Sequence, residues 1–258
     1  PGLAVEPIEG IQAVEPAFGL PALWIAPEDR ERAEVLGYTV VDPASVIITH
    51  LSEVIRSHAA EILSRQDVQS LLDHVKEEHP ALVNELVPNA LTVGEVQRVL
   101  QNLLRERVSV RDLVTILEAI TDPARTTRDP DALSEYARRR LARQLTQQYA
   151  SEDGRLVVIT IAPAWQQDLL QHVVQTEDGP ALHVDSATAQ RLLHGLREAM
   201  ERVAAAGHQP VVLCTPKLRL PLRRLTERSL PSLVVLAYSE VSPDVQVVTR
   251  DTVGETAA

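Results

Sequence analysis

The hydrophobic period changes along the chain, and this restricts the fold to a few successive parts. Over residues 43–149 apolar side chains return at three- and four-residue steps, as in Val46, Leu51, Val54, Ile55, Ala59 and Ile62, which is the spacing of one helix face. From residue 150 the pattern turns to short β-branched runs separated by helical stretches, such as Leu156–Ile161, Val211–Leu213 and Leu233–Leu236. Runs of that length bury both faces of a strand. Strand–helix–strand spacing predicts parallel pairs joined by crossover helices.

Start signals divide the helical stretch. Pro43 suits a first helical position. Ser64 with Asp67, and Thr92 with Glu95, have capping-box spacing, in which each side chain satisfies the other's backbone N–H. Ser109 with Asp112 is expected to open a further helix, and one last helix is expected from about Asp131 to Tyr149. Residues 1–42 read as short pieces between prolines: a strand at Ala22–Ile25, a helix over Ala26–Leu36 ended by Gly37, and a strand at Tyr38–Val41. In the last part, helices are expected near Ala164–Val174, from Asp185 or Ser186 to Ala206, and over Leu218–Arg228. The tail from Gln246 is expected to add an edge strand and to fray from Thr252 onward.

Composition bounds the partners. The net charge of -11 disfavours nucleic acid and anionic lipid over the surface as a whole. The single cysteine, Cys214, allows no internal disulfide and no cysteine-based zinc site. No run reaches the ~20 apolar residues of a membrane-spanning helix, and the chain starts without a signal peptide or an initiator Met. It is therefore expected to be a fragment of a longer protein.

Motifs for chemistry are few. No Walker loop, dinucleotide fingerprint, zinc-protease motif or serine elbow occurs. His50 and His58 lie eight apart, and His74 and His79 five apart; surface positions are expected for them, since a metal needs three or four converging ligands. Cys214 reads as a small core residue. Lys217, Arg219, Arg223, Arg224 and Arg228 form one basic helix, expected to be a solvated face or a partner contact. A small-molecule enzyme on the last α/β part would need polar groups at strand ends, and only Cys214-Thr215 and Tyr238-Ser239 qualify. Phe18, the only Phe, stands between Pro16 and Gly19; on these residues alone it reads as core or as an exposed anchor.

Several stretches in series carry a resemblance. They include Val14-Glu15-Pro16-Ala17-Phe18-Gly19-Leu20, Ile48-Thr49-His50-Leu51-Ser52-Glu53, Ser64-Arg65-Gln66-Asp67-Val68, Glu85-Leu86-Val87-Pro88, Val99-Leu100-Gln101-Asn102-Leu103-Leu104 and Gly207-His208-Gln209-Pro210-Val211. Together they resemble the C-terminal cytosolic domain of the FlhA/SctV family of type III secretion export gates, over nearly the whole chain. The block Gly207–Arg228 is more similar to the flagellar branch than to the virulence (SctV) branch, which stands as the alternative.

The resemblance implies an α+β fold of several subdomains: a partial ferredoxin-like α/β unit (1–42), a helix linking back to the first subdomain (43–62), a central helical subdomain (63–149) and a C-terminal α/β subdomain (150–258). It implies the cytoplasmic domain of a bacterial inner-membrane protein, touching the membrane only through N-terminal spans missing here. It implies no enzyme activity and no cofactor. The implied partners are flagellar chaperone–substrate complexes, other export apparatus proteins and further copies in a nine-membered ring. The docking site it implies falls on Glu15, Phe18 and Thr49, with Leu20 lining it. Glu15 stands where the family usually has Asp. In that reading Phe18 is the apolar anchor, and the carboxylate and hydroxyl at its rim orient a partner.

Overall fold

The structure, a computed structural model, describes residues 6–254. The chain divides into two compact units, 1–63 and 64–258.

The first unit opens with an antiparallel hairpin of β1 (Ile11–Val14) and β2 (Pro21–Trp24), paired from Ile11 with Trp24 to Val14 with Pro21. Only β2 was expected from the residues. A 3-10 turn at Pro27–Asp29 leads into α1 (Arg30–Val35). The helix ends as expected at Gly37, whose φ of 87° suits a residue without Cβ. Gly37 N–H donates to Glu34 O and Tyr38 N–H to Ala33 O, the paired bonds that satisfy a helix's last carbonyls. The strand expected at Tyr38–Val41 does not form: these residues have no regular structure. The cap's bonds turn the chain there, and among the described residues no strand pairs with it. Then α2 (Pro43–Ile62) begins on Asp42, which accepts from Ser45 N–H at 3.0 Å. Its apolar stripe is little covered: Ile47, Ile48, Leu51, Val54, Ile55 and Ile62 are exposed, and within the helix only Ala60 is buried.

The second unit begins with six helices: α3 (Arg65–Glu78), α4 (Pro80–Leu86), α5 (Val93–Arg105), α6 (Leu113–Thr121), α7 (Pro130–Arg140) and α8 (Ala142–Tyr149). Both expected capping boxes form, Ser64 with Asp67 and Thr92 with Glu95. The start of α6 differs: Asp112 itself is the cap, accepting from Thr115 N–H, while Ser109 accepts only from Arg111 N–H. The expected final helix is broken at Leu141 into α7 and α8. α5 and α6 both pack on α7, burying Val96, Val99, Leu100, Leu103, Ile116, Leu117, Ile120 and Leu133.

The remainder is a four-stranded, all-parallel sheet of β3 (Arg155–Ile161), β6 (Val211–Cys214), β7 (Val234–Ala237) and β8 (Gln246–Val253), in the order β7-β6-β3-β8. Alternate residues feed two cores. Ile159, Ile161, Val212, Cys214 and Val235 meet one, with Leu169 of α9 (Pro163–Gln171), Leu192 and Leu196 of α10 (Ser186–Ala205), and Leu218 and Leu222 of α11 (Pro216–Thr226). Leu156, Val158, Val211, Leu213 and Leu236 form the other, against Tyr149. Burial on both faces is why these strands read as continuous apolar runs. A small hairpin, β4 (Val173–Thr176) with β5 (Gly179–Leu182), was not expected. As the edge strand, β8 includes Thr252 and Val253, and Val253 is buried, so fraying does not begin at Thr252. Residues 255–258, to which that expectation also applied, lie outside the described residues.

The basic helix is only in part a solvated face: Lys217 and Arg228 are exposed, Arg223 and Arg224 are half-buried. Arg219 of α11 is fully buried. It donates to both oxygens of Glu106, at 2.6 and 3.1 Å, and Nε donates to Glu135 at 2.7 Å. Arg138 of α7, 2% exposed, donates to both oxygens of Glu240, at 2.6 and 3.1 Å, and to Glu106 at 3.2 Å. Glu240 also accepts from Ala237 N–H at the end of β7. Arg224 reaches Asp131 and Pro180 O. The helical bundle and the sheet are therefore tied by buried charge.

Burial works against the Glu106 carboxylate, but Arg138 and Arg219 together outweigh it and hold the group at about 2. For Glu135, burial wins over Arg219, and the carboxyl lies above its ordinary range.

Two outcomes follow for stability. Arg219→Met removes one partner and leaves buried carboxylates uncompensated, so unfolding free energy measured with urea should fall by about 3–5 kcal/mol. Glu106, depressed in the folded state, stabilises above the ordinary carboxylate range, and that contribution is lost as pH falls toward about 2. It amounts to about 3 kcal/mol. Urea titrations between pH 4.5 and 2 should show a loss larger by that amount in the parent chain than in Glu106→Gln, which starts less stable; the other depressed carboxylates, such as Asp67, Glu95 and Asp185, contribute to both.

Candidate functional site

The turn joining β1 to β2 is built by its own side chain. Pro16 cannot donate, so the backbone of residues 15–20 has few partners of its own. Glu15 N–H donates to Leu20 O at 2.8 Å, and Gly19 N–H donates back to Glu15 O at 2.9 Å. Gly19 sits at φ 69°, a left-handed conformation that a Cβ would strain. The Glu15 carboxylate accepts from Ala17 N–H at 3.0 Å and from Phe18 N–H at 2.7 Å. The result is a closed loop with Phe18 at its tip.

Phe18 is 63% exposed and Leu20 52%, so Phe18 is not a core residue. A single exposed apolar side chain is ordinary, but Phe18 and Leu20 are exposed together on one turn, and clustered apolar groups mark contact surfaces. The cross-strand pair Ile11 and Trp24, further along the hairpin, is also exposed. The structure thus brings Glu15, Phe18 and Leu20 into one turn. Thr49 lies on α2 and is exposed; the hydrogen bonds of the turn do not reach it.

The other residues with chemical potential are placed as follows. His50, His58, His74 and His79 are exposed. Among the described residues no three His, Cys, Asp or Glu side chains converge as metal ligands. Cys214 is fully buried at the end of β6, and burial pushes its thiol up to about 12. Tyr238 and Ser239 lie in the 3-10 turn after β7. The residues that the sequence reading missed are Glu106, Glu135 and Glu240. Their spacing of 29 and 105 positions carries no local signal; only an unusually Arg-rich apolar helix hinted that its cations needed internal partners. Among the described residues no helix is long and apolar enough to cross a membrane.

A helical bundle followed by this parallel sheet is the architecture of the C-terminal domains of SctV-type secretion export gate proteins. The chain matches the Chlamydia pneumoniae CdsV protein with a TM-score of 0.82 and 26% identity, covering 91% of this chain and 67% of that one. It matches nonameric SctV-C of EPEC with a TM-score of 0.80 and 25% identity, covering 98% and 76%. The chain belongs to the FHIPEP family, whose model matches residues 2–246. The flagellar biosynthesis protein FlhA of Bacillus subtilis (strain 168) is 43% identical over 240 residues, which are 93% of this chain and 36% of that protein. The chain thus spans about a third of the length of that curated relative. The family is that of the export gates of flagellar and virulence type III secretion.

A thiolate is the reactive form of cysteine, and Cys214 is held far from it. The native protein should leave a thiol reagent such as Ellman's unreacted over an hour at pH 8, with one thiol appearing when denaturant is added.

Proposed function

We propose that this chain is a docking part of a flagellar-type protein export gate, a platform that binds chaperone–substrate complexes on the cytoplasmic side and passes clients to a membrane pore. The observation that carries the reading is Phe18, exposed at the tip of a turn closed by its own hydrogen bonds. A fixed aromatic side chain loses little conformational freedom on binding and offers a large apolar contact. Leu20 beside it extends that contact, and Thr49 on α2 supplies a hydroxyl to the same proposed site. The division into parts at 1–42, 43–62, 63–149 and 150–258 belongs to this reading.

The flagellar branch is supported by identity: 43% to a flagellar FlhA against 25–26% to the CdsV and SctV-C proteins. EPEC SctV-C is nonameric, and we extend ring assembly to the protein that contains this chain. A non-enzymatic role accords with Cys214, whose thiol is buried and held neutral at the strand end where catalysis would need it.

The test is a titration of a purified flagellar chaperone loaded with its client against the parent chain and Phe18→Ala. Loss of a central aromatic anchor should weaken binding by about tenfold or more, with circular dichroism and unfolding midpoint unchanged because the side chain is exposed. Equal affinities would overturn the docking site.

A further inference from the structure

Arginines on an acidic chain are informative where the fold leaves them unpaired. The net charge is -11, yet the helical bundle carries a positive groove of about 600 Å³. It lies between the end of α4 and the turn that follows α6, lined by Glu85, Asn89, Ala90 and residues 124–128. Arg125 and Arg128 are both exposed there. Arg125 pairs with Glu85 from the opposite wall. The Arg128 guanidinium has no hydrogen bond or ion pair among the described residues. Two guanidinium groups against one carboxylate leave the groove with a positive charge in excess. Its neutral groups can also donate. The Thr127 hydroxyl oxygen accepts from Asp129 N–H at 3.1 Å, which leaves its own proton free. Asn89 donates one amide hydrogen to Asn84 O at 2.6 Å and keeps the other. The positive field extends beyond the groove: after the Thr92 bonds, Arg128 and Arg98 add to what holds the Glu95 carboxyl below its ordinary range.

We propose that this groove binds an acidic, extended polypeptide segment through Arg128 and Arg125, and that Glu85 is a built-in competitor, holding Arg125 until a carboxylate of the segment replaces it. Size favours a peptide over a simple anion. A water-sized guest takes about 30 Å³, whereas a groove of several hundred Å³ matches a larger ligand. Guanidinium groups present a planar fork to carboxylates. A positive groove on an acidic molecule concentrates attraction at one place and rejects cationic segments. Nucleic acid fits less well: no aromatic ring lines the groove for a base to stack on, and the acidic surface as a whole repels a long polyanion. The Arg125–Glu85 pair is 64% and 49% exposed. Pairs so exposed are weak, so exchange for a ligand carboxylate costs little. The site belongs to the second unit, and it stands whether or not Phe18 docks a chaperone.

Fluorescence anisotropy with the whole chain tests this. The probe is a short fluorescein-tagged peptide of alternating Asp and Ser, with a Lys–Ser peptide of equal length beside it. The acidic peptide should bind, the basic one should not, and affinity should fall as salt rises. Arg128→Gln should weaken binding by about fivefold or more, and Arg125→Gln/Arg128→Gln should abolish it. Glu85→Gln frees Arg125 and should strengthen binding by about threefold. Glu152→Gln, the same charge change in the turn before β3, should leave it unchanged. All four positions are exposed, so unfolding midpoints in urea should match the parent. The proposal is overturned if the acidic peptide does not bind, if Arg128→Gln binds like the parent, or if Glu85→Gln binds no more tightly than Glu152→Gln. A short single-stranded RNA of equal charge that binds more tightly than the peptide would assign the groove to phosphates and overturn it as well. So would a difference in molar mass by light scattering between the parent and the double arginine variant, which would make the groove a contact between copies of the chain.

Discussion

The second unit depends on a cluster of buried charge. Two guanidinium groups, Arg138 and Arg219, sit among three carboxylates contributed by the end of α5, by α7 and by the turn after β7. Isolated, any of these charges would be far too costly to bury; together, with planar two-pronged bonds, they satisfy one another. Such a cluster contributes little to stability compared with an apolar core of the same volume. What it adds is a constraint: its contacts link α5 and α7 to α11 and to the turn after β7, and breaking any of them would strand a buried charge. Three acids against two bases also explain why Glu106 and Glu135 are driven in opposite directions: Glu106 lies between both guanidiniums, and Glu135 faces one.

The first unit uses polar bonds on a smaller scale for a different end. There a single carboxylate organises a six-residue turn so that an aromatic ring can remain outside. The apolar surface of this unit extends well beyond Phe18. Ile11 and Trp24 on the hairpin and the stripe along α2 are also uncovered, a composition more typical of contact surfaces than of free ones. The two units thus show opposite uses of the same groups. In the second, charge is buried to fix an internal joint; in the first, charge is turned inward and hydrocarbon is left outward to meet something else.

Much of the fold was legible in the residues. Capping boxes at Ser64 and Thr92, the Gly37 terminator and the β-branched runs each encode their conformation within a few positions, and all of them formed. Failures came where the deciding partner was distant. Tyr38–Val41 has strand composition but, among the described residues, no strand pairs with it. Leu141 interrupts a periodic helix without a local breaker. Gln12 and Ala13 do not alternate with enough apolar contrast to announce β1. The basic run around Arg219 looked like a solvated face because its counter-charges lie 84 and 113 residues away.

For the site, sequence order alone determined that Glu15, Phe18 and Leu20 would be near one another, since the six residues 15–20 span at most about 18 Å even when extended, and that an aromatic side chain stood near a carboxylate. It could not determine which of the two faced outward. The tertiary structure decided that the ring is exposed and the carboxylate engaged, because the hairpin closes the turn and leaves the Ala17 and Phe18 amides in need of an acceptor. Short-range chemistry is written in the sequence; the direction in which a side chain is used depends on which backbone groups the fold leaves unsatisfied.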